Sequence, residues 1–131
     1  MNKPEAQLYK YLRDSVFCKV NGMAWDRIET STAVGIPDIY YNRFDQHGWI
    51  ELKAIKSLKD RQLTEVQRHW LYERGKAGNC WVIMQVGNMV YLIESWEYRD
   101  KSRFSSLDEL QGFPKWMKGS TESVEVLDLK L

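Results

Sequence analysis

The sequence predicts an α/β fold, and three observations carry that prediction. Near the start, Leu8, Tyr9, Leu12 and Val16 recur at helical spacing on one stripe. Five runs with strand character follow, three before a second helical segment and two after it. One of them, "NCWVIMQV" from Asn79 to Val86, is almost continuously apolar, as a central strand covered on both faces should be. The resulting order is α, three β, α, two β, then a less regular tail. No repeat, low-complexity tract or interdomain linker interrupts it. The expectation is one domain over 1–131, with a core at about 5–94 and a C-terminal extension, 95–131, to which no role is attached.

The elements follow from local chemistry. Residues 4–14 form the first helix, because Pro4 suits a first helical turn and the apolar stripe begins directly after it. Asn21-Gly22 is a turn dipeptide, and "AWDRIETS" after it alternates weakly enough to be a strand. Gly35-Ile36-Pro37 breaks the chain before the short strand "DIYYN". "RFDQHG" is a polar turn. "WIELKAI" then alternates, with Trp49, Glu51 and Lys53 pointing one way and Ile50, Leu52 and Ala54 the other. The second helix starts at Thr64, a good N-cap, carries Val66, Trp70 and Leu71 as its apolar stripe, and stops at Gly75 or Gly78. Gly87-Asn88 turns the apolar run into the strand "MVYLIESW". In the tail, "SSLDELQGF" reads as a short helix and "SVEVLDLKL" as a last strand.

Composition bounds the function. With 131 residues, 44% hydrophobic and 28% charged, the chain can bury a core and is not disordered. No run of about 18 apolar residues predicts a transmembrane helix. "MNKPEAQLYKYLRDS" lacks the apolar centre of a signal peptide. A cytoplasmic protein without a membrane partner is expected, with Cys18 and Cys80 reduced. Neither cysteine has a Cys or His at zinc spacing, and His47 and His69 are too scattered to form a zinc motif. A net charge of +1 provides no global field to steer a polyanion, so any such partner must use a local patch. "KAIKSLKDR" is one: Lys53, Lys56, Lys59 and Arg61 stand against a single acid, Asp60. Taken alone, such a run also fits a solvated loop.

Asp, Glu and Lys are disfavoured inside strands, yet Asp38, Glu51 and Lys53 lie in two strands joined by a short turn. A turn centred between Phe44 and Asp45 sets Asp38 across from Glu51; a centre one residue later sets it across from Lys53. Either pairing gathers the three charges on one open face. Two adjacent carboxylates repel, and a divalent cation neutralises both. Hard oxygen ligands suit Mg²⁺ or Mn²⁺, with the Leu52 carbonyl between the charged side chains as a further ligand. Lys53 would then serve the nucleophile or a phosphate oxygen, and the basic stretch would hold a nucleic-acid backbone. The plainer alternative is a solvent-facing strand pair with a cross-strand Lys–Asp contact. Glu5 lies on the stripe of the first helix, where an acid also favours the helix dipole.

"GIPD" followed by "ELK" resembles the PD-(D/E)XK nuclease superfamily, most closely its small members, the virus-type replication-repair (VRR-NUC) group and the Holliday junction resolvases. Pro37-Asp38 and Glu51-Leu52-Lys53 match that pattern, and "LTEVQRHWLYERGKAG" follows as the helix should. The likeness spans roughly residues 5–94. It implies a restriction-endonuclease-like core, a central mixed sheet flanked by helices in the order αβββαβ, with additional C-terminal elements. It further implies Mg²⁺- or Mn²⁺-dependent hydrolysis of phosphodiester bonds, with DNA as the expected substrate and RNA left open, in a bacterial or phage-infected cell. Asp38, Glu51, Lys53 and Gln67 are the implied catalytic residues. Asp38, Glu51, the Leu52 carbonyl and Glu5 are the implied metal ligands, and Lys56, Lys59, Arg61 and Arg68 the nucleic-acid contacts. Small nucleases of this class often act as homodimers, and the aromatic segment 95–117 is the candidate surface. Two other readings compete. One is a catalytically silent nucleic-acid-binding module of the same fold. The other is a protein-interaction domain displaying Trp81, Trp96 and Trp116.

Overall fold

The computed structural model describes residues 1–28 and 35–131. Its fourth strand, β4 (Cys80–Val86), is the apolar run, and alternation along it sorts the molecule into two layers. Trp81 and Ile83 join Leu8, Leu12, Ile50, Leu52 and Leu127 on one side. Val82 and Met84 join Leu63, Leu71, Ile93, Tyr98 and Phe104 on the other. The other strands are β1 (Met23–Arg27), β2 (Ile39–Arg43), β3 (Gln46–Ile55), β5 (Met89–Glu94) and β6 (Lys115–Met117), and the six form one sheet in chain order. Only β3 and β4 pair in parallel, so the sheet is mixed as expected. Their connection contains α2 (Glu65–Gly75), the crossover a parallel pair needs.

The first layer lies beneath α1 (Lys3–Ser15), whose Leu8 and Leu12 are fully buried. Asn2 begins the helix with a capping box: its side chain accepts the Glu5 N–H at 2.9 Å, and the Glu5 carboxylate accepts the Asn2 N–H at 3.2 Å. The buried Trp81 indole donates to the Tyr41 hydroxyl at 3.1 Å, satisfying a polar group inside the layer. No helix among the described residues is long and apolar enough to cross a membrane.

The tail departs from its expected form. "SVEVLDLKL" is helical, as α3 (Glu122–Lys130). Its alternation breaks between Val126 and Leu127, whereas Ser123, Leu127 and Leu131 recur four apart and are buried, leaving Leu129 exposed. The sheet position beside β5 belongs instead to the three residues of β6. "SSLDELQGF" yields a single 3₁₀ turn, Leu107–Leu110. Val66, expected on the stripe of α2, is exposed. The strand expected over "AWDRIETS" is present to Arg27; residues 29–31 lie outside the described residues.

Two polar clips fasten the tail beneath the sheet. The buried Gln62 amide donates to the Phe104 carbonyl at 2.9 Å and accepts the Phe104 N–H at 2.9 Å. The Arg68 guanidinium donates to the carbonyls of Tyr98 and Arg99 at 3.3 and 2.8 Å. On the other face Arg43 of β2 donates to the carbonyls of Asn21 and Asp128, each at 2.8 Å, and pairs with the Asp128 carboxylate. Gln62→Leu preserves side-chain size but strands both backbone groups of Phe104, so it should cost about 1–3 kcal/mol. Urea denaturation monitored by tryptophan fluorescence measures this; an unchanged midpoint would remove the clip from the account of stability.

Candidate active site

The β2–β3 hairpin turns through Phe44 and Asp45, with Arg43 opposite Gln46 and Ile39 opposite Ile50. One further step along that register sets Asp38 across from Glu51, the first of the two pairings the sequence allows. The backbone pairing itself ends at Ile39, because Asp38 intervenes with its side chain: Asp38 Oδ2 accepts the Leu52 N–H at 2.9 Å. A residue's N–H and C=O leave a strand on the same edge, so the Leu52 carbonyl also faces Asp38. The segment leading in is held from beneath. Gly35 has φ +87, and a Cβ there would meet the Val66 side chain at 2.8 Å and its carbonyl at 2.9 Å. Only glycine combines that left-handed backbone with so close an approach to α2. Pro37 is buried, and its neighbour Asp38 is half-buried beside β3.

The face bearing Glu51 and Lys53 is not open, contrary to the reading from alternation. Glu51 is 2% exposed and Lys53 9%. They register with Val82 and Met84, which belong to the layer beneath α2, so neighbouring apolar side chains exclude water from the charges. The cross-strand Lys–Asp contact is replaced by a different pair: Lys53 Nζ lies 3.8 Å from Oε1 of Glu5, which arrives from the first turn of α1. Glu5 therefore caps its helix with one oxygen and faces the site with the other.

Glu51 carries the largest electrostatic burden. Its Oε1 is buried without a hydrogen-bond partner. Burial first, then a hydrogen bond and like charge from Asp38, push the Glu51 carboxyl up to about 10; Lys53 acts in the opposite direction. Without a cation, burial and Asp38 thus favour the protonated form of Glu51. The donor set fits a hard divalent cation: two convergent carboxylates, one with an unpartnered buried oxygen, and a backbone carbonyl on the same edge. Among the described residues no three His, Cys, Asp or Glu side chains gather to hold an ion by themselves. Carbonyl and water ligands would have to complete such a shell.

The remaining candidates separate. Gln67 occupies the third position of α2, and its side-chain oxygen accepts the Thr64 N–H at 3.1 Å while Thr64 Oγ1 accepts the Gln67 N–H at 3.1 Å. Thr64-x-x-Gln67 is a capping-box pattern, a signal present in the sequence. Arg68 does not project outward as a nucleic-acid contact, because its guanidinium is committed to Tyr98, Arg99 and Glu65. Lys56, Lys59 and Arg61 are exposed. They stand on a turn shaped by Asp60, which accepts the N–H groups of Lys56 and Ser57 at 3.2 and 3.1 Å. His47 and His69 are exposed. Sequence reasoning missed Asn2, which orients Glu5 and whose Asn-x-x-Glu pattern signals a cap. It also missed Gln62, whose partner is 42 residues away and leaves no local signal.

No family model and no curated protein matches the sequence. A solved structure does match the fold: Hjc of Archaeoglobus fulgidus, a Holliday junction resolvase from an archaeal hyperthermophile. The TM-score is 0.53 at 18% sequence identity, over 98% of this chain and 93% of that one. The chain has a restriction-endonuclease-like fold. The match covers the tail as well as the core.

A carboxyl whose pKa is raised by folding loses stability as pH climbs. The unfolded chain releases the Glu51 proton near 4.5, while the folded protein retains it to about 10. Between those values the unfolded state is increasingly favoured, by up to about 1.4 kcal/mol per pH unit for one proton. In chelator, Glu51→Gln should therefore melt higher than the parent protein, by a margin that widens from about pH 5 to about pH 9. Parallel melting curves across that range would refute the buried, protonated state.

Proposed function

We propose that this protein is a divalent-metal-dependent nuclease that hydrolyses phosphodiester bonds in DNA, with branched junctions the first substrate to test. The observation that carries this reading is the convergence of Asp38 and Glu51 beside β3. There Asp38 is oriented by the Leu52 N–H, and Glu51 is buried with an unpartnered oxygen. Such a site is unfavourable for the empty protein and suits a cation. The fold shared with a protein described as a Holliday junction resolvase adds support.

Asp38 and Glu51, with the Leu52 carbonyl, would hold Mg²⁺ or Mn²⁺. When bound, the cation supplies Lewis-acid stabilisation of charge on a phosphate and lowers the pKa of water. As a ligand Glu51 would have to be ionised, its proton passing to solvent. Lys53, steered by Glu5, offers a fixed positive charge to the phosphate oxygens as negative charge develops there. Burial strengthens that interaction by excluding water. Gln67 retains a free amide nitrogen's worth of donor capacity beyond its cap, so a supporting role at the phosphate remains part of this reading.

A partner-binding role built on tryptophans is less well supported. Trp81 and Trp116 are core residues, and Trp96 alone of the three is exposed. Trp96, Leu107 and Met117 do leave apolar surface on the tail, where a second copy would dock if the enzyme cuts both strands as a homodimer.

The test is incubation of labelled four-way junction, duplex, single-stranded DNA and RNA with Mg²⁺, Mn²⁺ or chelator. Cleavage should require metal and favour DNA, and Asp38→Asn or Glu51→Gln should abolish it. Lys53→Met should lower turnover by a factor on the order of a hundred while substrate still binds in Ca²⁺. A Lys53→Met protein with a lowered melting temperature and full activity would make Lys53 structural. Wild-type rates in the Asp38 or Glu51 variant would reject the site.

A further inference from the structure

The C-terminal segment has so far only a structural role, yet it forms one wall of a charged groove. The groove has a volume of about 390 Å³ and is lined by Lys59, Arg61 and Thr64 on one side and Ser102 and Arg103 on the other. These walls are distant in sequence and are brought together by the two clips already described. Gln62, 1% exposed, exchanges hydrogen bonds with the backbone of Phe104. Arg68 grips the carbonyls of Tyr98 and Arg99. Ser102 and Arg103 lie between those anchor points, so their placement beside the loop is enforced from both ends.

The charge of the groove is uncompensated. Glu65 is the acid on its wall, and its carboxylate is engaged by Arg68 Nη2 at 3.0 Å. Among the described residues no carboxylate pairs with Lys59, Arg61 or Arg103, whereas the neighbouring Arg99 and Lys101 are paired with Asp100 and Glu109. Two guanidinium groups and an ammonium around an open trough match a run of phosphates, because Arg forks bind phosphate oxygens in pairs. The trough also follows the site in the chain. β3 carries Glu51 and Lys53, finishes at Ile55 and leads directly through the turn capped by Asp60 to Lys59 and Arg61.

We infer that Arg103, together with Lys59 and Arg61, forms a backbone-binding groove for the nucleic-acid strand beyond the phosphate that is cut. The C-terminal segment is then part of the substrate surface. This rests on the nuclease reading above, and the clips add to it a second basic wall facing Lys59 and Arg61. The footprint is phosphate-directed, so it adds affinity without sequence preference.

The experiment measures binding of labelled duplex DNA by fluorescence anisotropy in Ca²⁺ across a salt series, with cleavage in Mg²⁺ assayed on the same preparations. Arg103→Ala should weaken binding by about three- to tenfold and reduce the slope of log affinity against log salt by about one phosphate contact. Its melting temperature should not change, since the side chain is exposed. Arg99→Ala, which removes a cation four residues earlier in the chain and outside the groove, should bind as the parent does. Parent-like affinity and slope in Arg103→Ala, with the parent binding and cleaving DNA, would overturn the groove and leave the nuclease reading intact. A parent protein that neither binds nor cleaves DNA would overturn both. Equal competition by polyglutamate at matched charge would show a general polyanion trough and overturn the assignment to a nucleic-acid strand.

Discussion

One hydrogen bond organises the site: Asp38 Oδ2 accepts the N–H of Leu52. Without it, the Leu52 N–H would need another partner or remain unsatisfied. A carboxylate in place of a backbone carbonyl ends the pairing and brings a charge to the point where the strands part. The same bond points Asp38 at Glu51, one residue earlier on β3. Gly35 and Pro37 serve it indirectly, because the chain must pass tightly under α2 to present Asp38 at that height. The "GIPD" string is therefore a mechanical unit: a glycine for approach, a buried proline for direction and an acid for the bond.

The electrostatics of the site oppose the stability of the empty protein. A carboxyl as buried as Glu51 would be easier to fold as an apolar residue. Lys53 does not resolve the conflict, because it reaches Glu5 rather than bonding to Glu51. Burial and Asp38 instead favour the protonated form of Glu51, and on the proposed reading a cation would take the place of that proton. Such an exchange would put an unfavourable burial to use, with two convergent side chains and a strand edge as the donors.

Much of this was legible because the informative residues violate local preferences. Asp38, Glu51 and Lys53 are conspicuous in strands, and two-residue periodicity then fixes which of them share a face. Burial was not legible. Alternation says that Glu51 and Lys53 point away from Ile50 and Leu52, but not that an apolar layer waits on that side as well. The same blindness affected Arg68 and Gln62, whose partners lie 30 or more residues away. In the tail, a nine-residue run with five apolar positions fits a strand almost as well as a helix. Tertiary context decided it, since the sheet edge beside β5 was already filled by Lys115–Met117.

The anchor at Arg43 has a consequence in time. Arg43 belongs to the hairpin that runs from Asp38 to Glu51, yet two of its bonds go to Asp128, 85 residues later. Closing so large a loop is entropically costly, and contacts of that range form late in folding. During synthesis from the N-terminus, the hairpin emerges long before α3 exists to receive the guanidinium. A nascent chain therefore carries its two acids on an unfastened hairpin, and α3, made well after it, is the helix that locks it.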